Sequence, residues 1–362
     1  MKVRRRSKLE RQMISFLAAS TILISSAFEQ KTAAEEPLWN RISRSVVSLQ
    51  GPTSQTGVGA LIDTRGWFVA YSGAVAGPSV TGVYLNRIIT LKQIAVDKET
   101  QLVLLAATNW PKDSGSPIRV APQSVKAGEK LLAVTTKGPI RAELTSDQRV
   151  AQLRPSMRYA PISEIHLEDT DAKAMGALAF NAKGELVGIL GVTLGGEKDS
   201  AGAPGAANRG GSGFGGGGAG NAGNTAYDKK NAPEKLQNTF GPGALTVGYA
   251  LGPSLLDRVI NGFRTPDHTV HHPSIGVFFK RSDQVGASIE AVMPGSPAEQ
   301  AGMRMGDLVV EAGGRRITDS VAFAVFLFDQ KVGDTVELKI RRGDQDLTVK
   351  VKVGVQTVED LN

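Results

Sequence analysis

Residues 57–70 read Gly57-Val58-Gly59-Ala60-Leu61-Ile62-Asp63-Thr64-Arg65-Gly66-Trp67-Phe68-Val69-Ala70. Two short apolar runs, Gly59 to Ile62 and Trp67 to Ala70, flank Asp63-Thr64-Arg65-Gly66. That tetrad is a turn, because an aspartate bonds readily to backbone two residues on and a glycine accepts positive φ. The same grammar extends in both directions. Runs at Val46 to Leu49, Val83 to Leu85, Ile88 to Leu91, Leu102 to Ala106, Lys130 to Val134, Ile162 to Leu167, Gly176 to Phe180 and Leu186 to Val192 are short and apolar, and Asn181-Ala182-Lys183-Gly184 supplies another turn. Short strands at this spacing predict an antiparallel barrel or sandwich.

Residues 195–243 break the pattern, with few aliphatic side chains and four consecutive glycines, Gly215 to Gly218. Such composition cannot bury a core and predicts a solvated coil. Strand grammar resumes beyond it at Leu245 to Leu251. Gly252-Pro253-Ser254 then opens an amphipathic helix carrying Leu255, Leu256, Val259, Ile260 and Phe263, so the coil is expected to interrupt the first domain rather than end it. The domain boundary falls in the polar stretch 264–273, Arg264 to Pro273. The expected division is 1–27 signal peptide, with a membrane anchor as the alternative; 38–263 first domain, 195–243 being a disordered insertion; 264–273 linker; 274–354 second domain; and 355–362 tail.

Residues 1–11 hold six Lys or Arg against one Glu, which accounts for +5 of the formal net charge of +7. The uncharged segment Met13 to Phe28 follows directly, giving the charged and apolar regions of a secretory signal and placing the body of the chain outside the cytoplasm. The remaining chain is nearly neutral, which excludes a charge argument for nucleic acid. With no cysteine and four histidines among 362 residues, neither a disulfide scaffold nor a thiolate metal site is available, and no metal or cofactor is expected.

The segments Gly57 to Asp63, Gly66 to Val69, Gln101 to Leu105, Gly184 to Ile189 and Val247 to Ser254 resemble, in order, the landmarks of the HtrA (Deg) family of trypsin-like serine proteases. The resemblance implies a mainly β fold, a pair of six-stranded β-barrels followed by an α+β PDZ domain, and a Ser-His-Asp triad. Mapped residue by residue, Gly73 stands where the family has its histidine, Gln101 where it has its aspartate and Ala174 where it has its serine. Met175 and Gly176 fall in the oxyanion turn. Ser72 and His166 are the candidates for a displaced nucleophile and base, and His166 is expected to face solvent from a strand.

The segment Pro294-Gly295-Ser296-Pro297-Ala298-Glu299-Gln300-Ala301-Gly302-Met303-Arg304-Met305-Gly306-Asp307 is similar to the PDZ domains of the same family. Pro297 opens a short helix, Gly302 ends it at positive φ, and a helix from Ser320 to Phe328 and a hairpin across Arg342-Gly343-Asp344 complete the module. By resemblance, Ser274-Ile275-Gly276-Val277 is the carboxylate loop, with Ser274 in place of an aromatic residue. Val277 to Phe279 should receive a peptide strand facing Phe323, Phe326 or Leu327, and His272 should lie close enough to touch a ligand carboxylate. The expected function is an exported, non-catalytic homologue that binds polypeptide C-termini as a scaffold, holder or regulator of envelope proteolysis, with active HtrA-type proteases among its partners. The family resemblance also implies a trimer, with Leu38 and Trp39 as its only hint. The alternative is a serine endopeptidase with a displaced site.

Overall fold

The computed structural model describes residues 35–50, 56–75, 77–110, 115–122, 125–153, 158–168, 175–191, 246–280 and 282–355. Helix α1 (Glu35–Ile42) leads into six strands, β1 (Val46–Gln50), β2 (Thr56–Asp63), β3 (Trp67–Tyr71), β4 (Ser79–Tyr84), β5 (Arg87–Asp97) and β6 (Leu102–Ala107). They close into a barrel in the order β1-β2-β3-β6-β5-β4. The turn Asp63 to Gly66 forms as the sequence requires, with Gly66 at φ +82° and its amide bonded to the Asp63 carbonyl. Between β4 and β5 the tight turn is made by Leu85 and Asn86, both at positive φ.

A second closed barrel contains β7 (Lys130–Thr135), β8 (Gly138–Gln152), β9 (Tyr159–Leu167), β10 (Leu178–Phe180), β11 (Leu186–Leu190) and β12 (Thr246–Leu251), ordered β10-β11-β12-β9-β8-β7. Its longest strand, β8, goes unnoticed in a search for apolar runs. Buried Ala142 and Leu144 alternate there with the polar Arg141 and Glu143. Strand β12, on the far side of the glycine tract, pairs with both β9 and β11, so one barrel is built from chain on both sides of that tract. The tract itself lies outside the described residues.

Helix α2 (Pro253–Arg264) starts with proline in its first turn after Gly252 and buries Leu255, Leu256, Val259, Ile260 and Phe263. That stripe joins the core between the barrels, where Val58, Ile62, Leu102, Leu178 and Ile189 also meet. Leu38 and Trp39 pack against this same core.

The C-terminal module comprises β13 (Pro273–Ser274), β14 (Val277–Lys280), β15 (Ala287–Val292), α3 (Pro297–Gln300), β16 (Leu308–Ala312), β17 (Arg315–Arg316), α4 (Ser320–Phe328), β18 (Thr335–Arg342), β19 (Gln345–Lys352) and β20 (Gly354–Val355). Its main sheet runs β14-β15-β16-β18-β19, which leaves β14 at the edge. Ser296 caps α3 by accepting the Glu299 amide, and Gly302 follows at φ +79°. Asp307 is fully buried and takes a bidentate contact from Arg342 at 2.7 and 2.9 Å, the arrangement that makes a buried carboxylate tolerable.

Candidate functional site

The corner where the resemblance puts the triad's histidine and aspartate is set by two adjacent strand ends. Strand β3 pairs with β6 so that Tyr71 lies opposite Leu102, and the residues beyond, Ser72 and Gln101, face each other. The Ser72 amide donates to the Gln101 carbonyl at 2.8 Å, and the Ser72 hydroxyl donates to Gln101 Oε1 at 3.3 Å. Gln101 occupies φ +58°, unusual for a residue with a side chain, and its Nε2 donates to the Lys98 carbonyl at 2.7 Å. An amide at this corner accepts and orients a hydroxyl. It carries no charge to stabilise an imidazolium.

Gly73 follows in the short turn Ser72–Ala74, and the half-buried ring of Tyr71 lies against it. A Cβ on Gly73 would come 2.4 Å from Tyr71 Cε1, and a Cβ on Gly191 would come 2.6 Å from Tyr71 Cδ2. The tyrosine ring is thus slotted between two glycines, one from each barrel. Burial pushes its hydroxyl pKa above the ordinary value, so it stands as a neutral phenol. Gly176, at φ +79°, gives its amide to the Leu190 carbonyl at 2.6 Å, while Met175 beside it is exposed. Ala174 lies outside the described residues.

His166 does not face solvent as expected. It is buried on β9, with Nε2 3.4 Å from Glu164 Oε1, and that strand is separated from β11 by β12. Chiefly the hydrogen bond from His166 holds the Glu164 carboxyl below its usual range. Its burial is not legible from alternation alone, because the glutamate partner sits on the same face of the same strand.

The second feature is the groove beside β14. Val277 and Phe279 turn inward while Phe278 and Lys280 point out, so the edge strand presents unpaired backbone along its outer side. Phe279 meets Phe323 edge-on, ring centroids 5.7 Å apart, and Phe323, Phe326 and Leu327 are all buried on α4. Gly276 sits at φ +74°, where a Cβ would collide with Ser296 Cβ at 2.3 Å. The Ser274 hydroxyl accepts the Gly276 amide at 3.2 Å, and the Ile275 carbonyl accepts the Ala298 amide, which ties the loop to α3. His272 is the exception among the expected groove residues. It is buried and turned to the first barrel, where its Nε2 donates to both Asp97 oxygens at 3.0 and 3.1 Å. The proximity along the chain that suggested a ligand contact is overridden by this carboxylate.

A family profile described as PDZ domain matches residues 273–353. The chain is 23% identical over 338 residues to a probable periplasmic serine endoprotease DegP-like of Marinomonas sp. (strain MWYL1), covering 86% of the chain and 62% of that relative. The chain is a homologue of the HtrA/DegP serine proteases. A putative serine protease HhoA of Synechocystis sp. is 24% identical over 307 residues, covering 82% of this HtrA homologue and 70% of the relative. Among solved structures, the HtrA-type protease AlgW with tripeptide superposes with a TM-score of 0.59 at 14% identity, covering 90% of the chain and 98% of that structure. The serine endoprotease from Yersinia pestis gives 0.54 at 17%, covering 91% and 100%. Identities this low speak for the shared fold alone.

These relatives correct one expectation. The chain was expected to be a non-enzyme, on the strength of Gly73, Gln101 and Ala174, yet the relatives that align over most of its length are named serine proteases and endoproteases, which points to an enzyme. A membrane anchor finds no support either. Among the described residues no helix is long and apolar enough to cross a membrane, and residues 1–27 lie outside them.

Proposed function

We propose that this HtrA homologue is an exported, periplasmic endopeptidase-class protein that captures polypeptide C-termini at its PDZ groove and presents them to an atypical interbarrel cleft. The observation that carries the capture step is the open edge of β14 beside α4, closed at one end by a loop whose glycine has no room for a side chain. An extended peptide adds there as one more strand, its carboxylate against the loop amides. The division 38–263 for the barrels and 274–354 for the PDZ domain, and assembly into trimers, belong to the same proposal.

The endopeptidase class is supported by the relatives' names, and the cleft supplies one hydroxyl at the family's histidine and aspartate corner, Ser72. Gln101 can orient that oxygen, but an amide does not take its proton, so the base is not supplied by the family's usual pair. Purified mature protein should therefore be incubated with a fluorophosphonate probe and with unfolded casein, alongside Ser72→Ala. Labelling and turnover lost in the variant support Ser72. Turnover that survives the substitution places the serine elsewhere, and no labelling and no turnover in either protein overturns the endopeptidase reading. Peptide affinity at the groove is measured separately with an apolar-terminated peptide.

A further inference from the structure

The linker into the PDZ domain ends in a buried polar cluster contributed by three parts of the chain. Asp97 ends β5 and Glu99 lies in the turn after it, Arg158 immediately precedes β9 of the second barrel, and His272 belongs to the linker. Arg158 reaches Glu99 at 3.3 Å and donates to the Pro273 carbonyl at 2.6 Å, while His272 Nδ1 lies 3.7 Å from Glu99. Two carboxylates with one guanidinium and one imidazole, all largely out of water, make sense only as a complete set.

Asp97 has a second task. Besides His272 it accepts from the Thr100 hydroxyl and, at 3.3 Å, from the Glu99 amide, so its carboxylate is the internal post around which residues 97–101 turn. That turn ends at Gln101 in its left-handed conformation, with Gln101 held to Lys98 on one side and to Ser72 on the other. From the PDZ linker to this corner the contacts run from His272 to Asp97, from Asp97 to Thr100 and the Glu99 amide, then across the Thr100–Gln101 peptide bond to Gln101, which holds Lys98 and Ser72.

We infer that His272 is a positioning residue for the cleft: by holding Asp97 it fixes the 97–101 turn, and so seats the PDZ domain and sets the Ser72–Gln101 pair with one side chain. The inference deepens the cleft reading given above and treats that cleft as the working site. It is read by hydrogen exchange, which needs no turnover, so its failure is distinguishable from a failure of the endopeptidase reading.

The test compares amide exchange in the full mature chain for wild type, His272→Ala and His272→Gln, whose amide still donates to a carboxylate. In His272→Ala the Ser72 and Glu99 amides should exchange about tenfold faster, the scale of one charge-assisted hydrogen bond. Amides of β9 should keep their wild-type rates, and His272→Gln should restore most of the protection. If His272→Ala yields no folded protein, Thr100→Val, which cuts the same set inside the turn and away from the linker, should loosen Ser72 in the same way. Unchanged exchange at Ser72, a uniform rise that includes β9, or no rescue by glutamine overturns the inference.

Discussion

Phe328, the last residue of α4, belongs to the PDZ chain segment but is buried in the core of the barrels, at 1% exposure. The Arg258 and Arg158 guanidinium groups stand 5.0 and 5.6 Å from its ring centre, and Arg258 also donates to the Phe328 carbonyl at the end of the helix. Truncation in Phe328→Ala removes a fully packed ring, a loss of about 3–5 kcal/mol. For a unit of 150–250 residues each kcal/mol moves the midpoint by about 2–4 °C, so the barrels should melt roughly 6–20 °C lower. The PDZ domain's own core, built from Ile289, Val309, Phe323, Leu338 and Ile340, is untouched. Differential scanning calorimetry should therefore show one cooperative transition in the wild type and two in the variant, the PDZ transition being the less displaced. Two transitions already present in the wild type, with midpoints that Phe328→Ala leaves in place, would refute the claim that this ring joins the two modules.

Other outcomes follow from particular contacts. Burial alone would raise the Asp97 pKa, but the His272 hydrogen bond and charge, with Thr100 and the Glu99 amide, hold it below the ordinary aspartate range. Its stabilisation is therefore fully present above about pH 4 and lost as pH falls through the lowered value. Urea midpoints between pH 5 and 2 should fall more steeply for wild type than for Asp97→Asn, and equal slopes would count against the pair. Gly73→Ala should destabilise by about 1–3 kcal/mol through overpacking against Tyr71, and Tyr71→Ala in the same chain should relieve most of it, as a denaturant double-mutant cycle will show. Gly276→Ala should cut affinity for an apolar-terminated peptide at least about tenfold, because it forces a side chain into a left-handed site already filled by Ser296. Fluorescence titration measures it, and wild-type affinity would remove Gly276 from the carboxylate loop.

The parts of this molecule that local chemistry specifies were legible in sequence. Asp63 to Gly66 and Asn181 to Gly184 form turns with their glycines at positive φ, and in the second the Asn181 side chain accepts the Lys183 and Glu185 amides. The α2 stripe is legible from 3.6-residue periodicity and a proline-led start, whereas the span Ser320 to Phe328, apolar on every side, is legible through the PDZ resemblance, and Asp319 caps it by accepting the Ala322 amide. What stayed hidden depends on distance along the chain. Asp97 and His272 are 175 residues apart, and Arg158 and Pro273 are 115 apart. Nothing in either local sequence announces the other. Hence His272 reads as a linker residue near a groove, and Phe328 as one more helix residue, until the barrels are folded against them. Strand β8 stays hidden for a different reason: its buried side chains, Ala142, Leu144 and Ala151, are spaced out among polar residues, so no apolar run marks it.

Mass-spectrometric mapping of a fluorophosphonate adduct on the purified mature chain tests the central claim most directly. An endopeptidase-class cleft at the β3–β6 corner predicts a single adduct in the barrel domain that disappears in Ser72→Ala, whereas an unlabelled chain under conditions that fully label an active HtrA protease would contradict it.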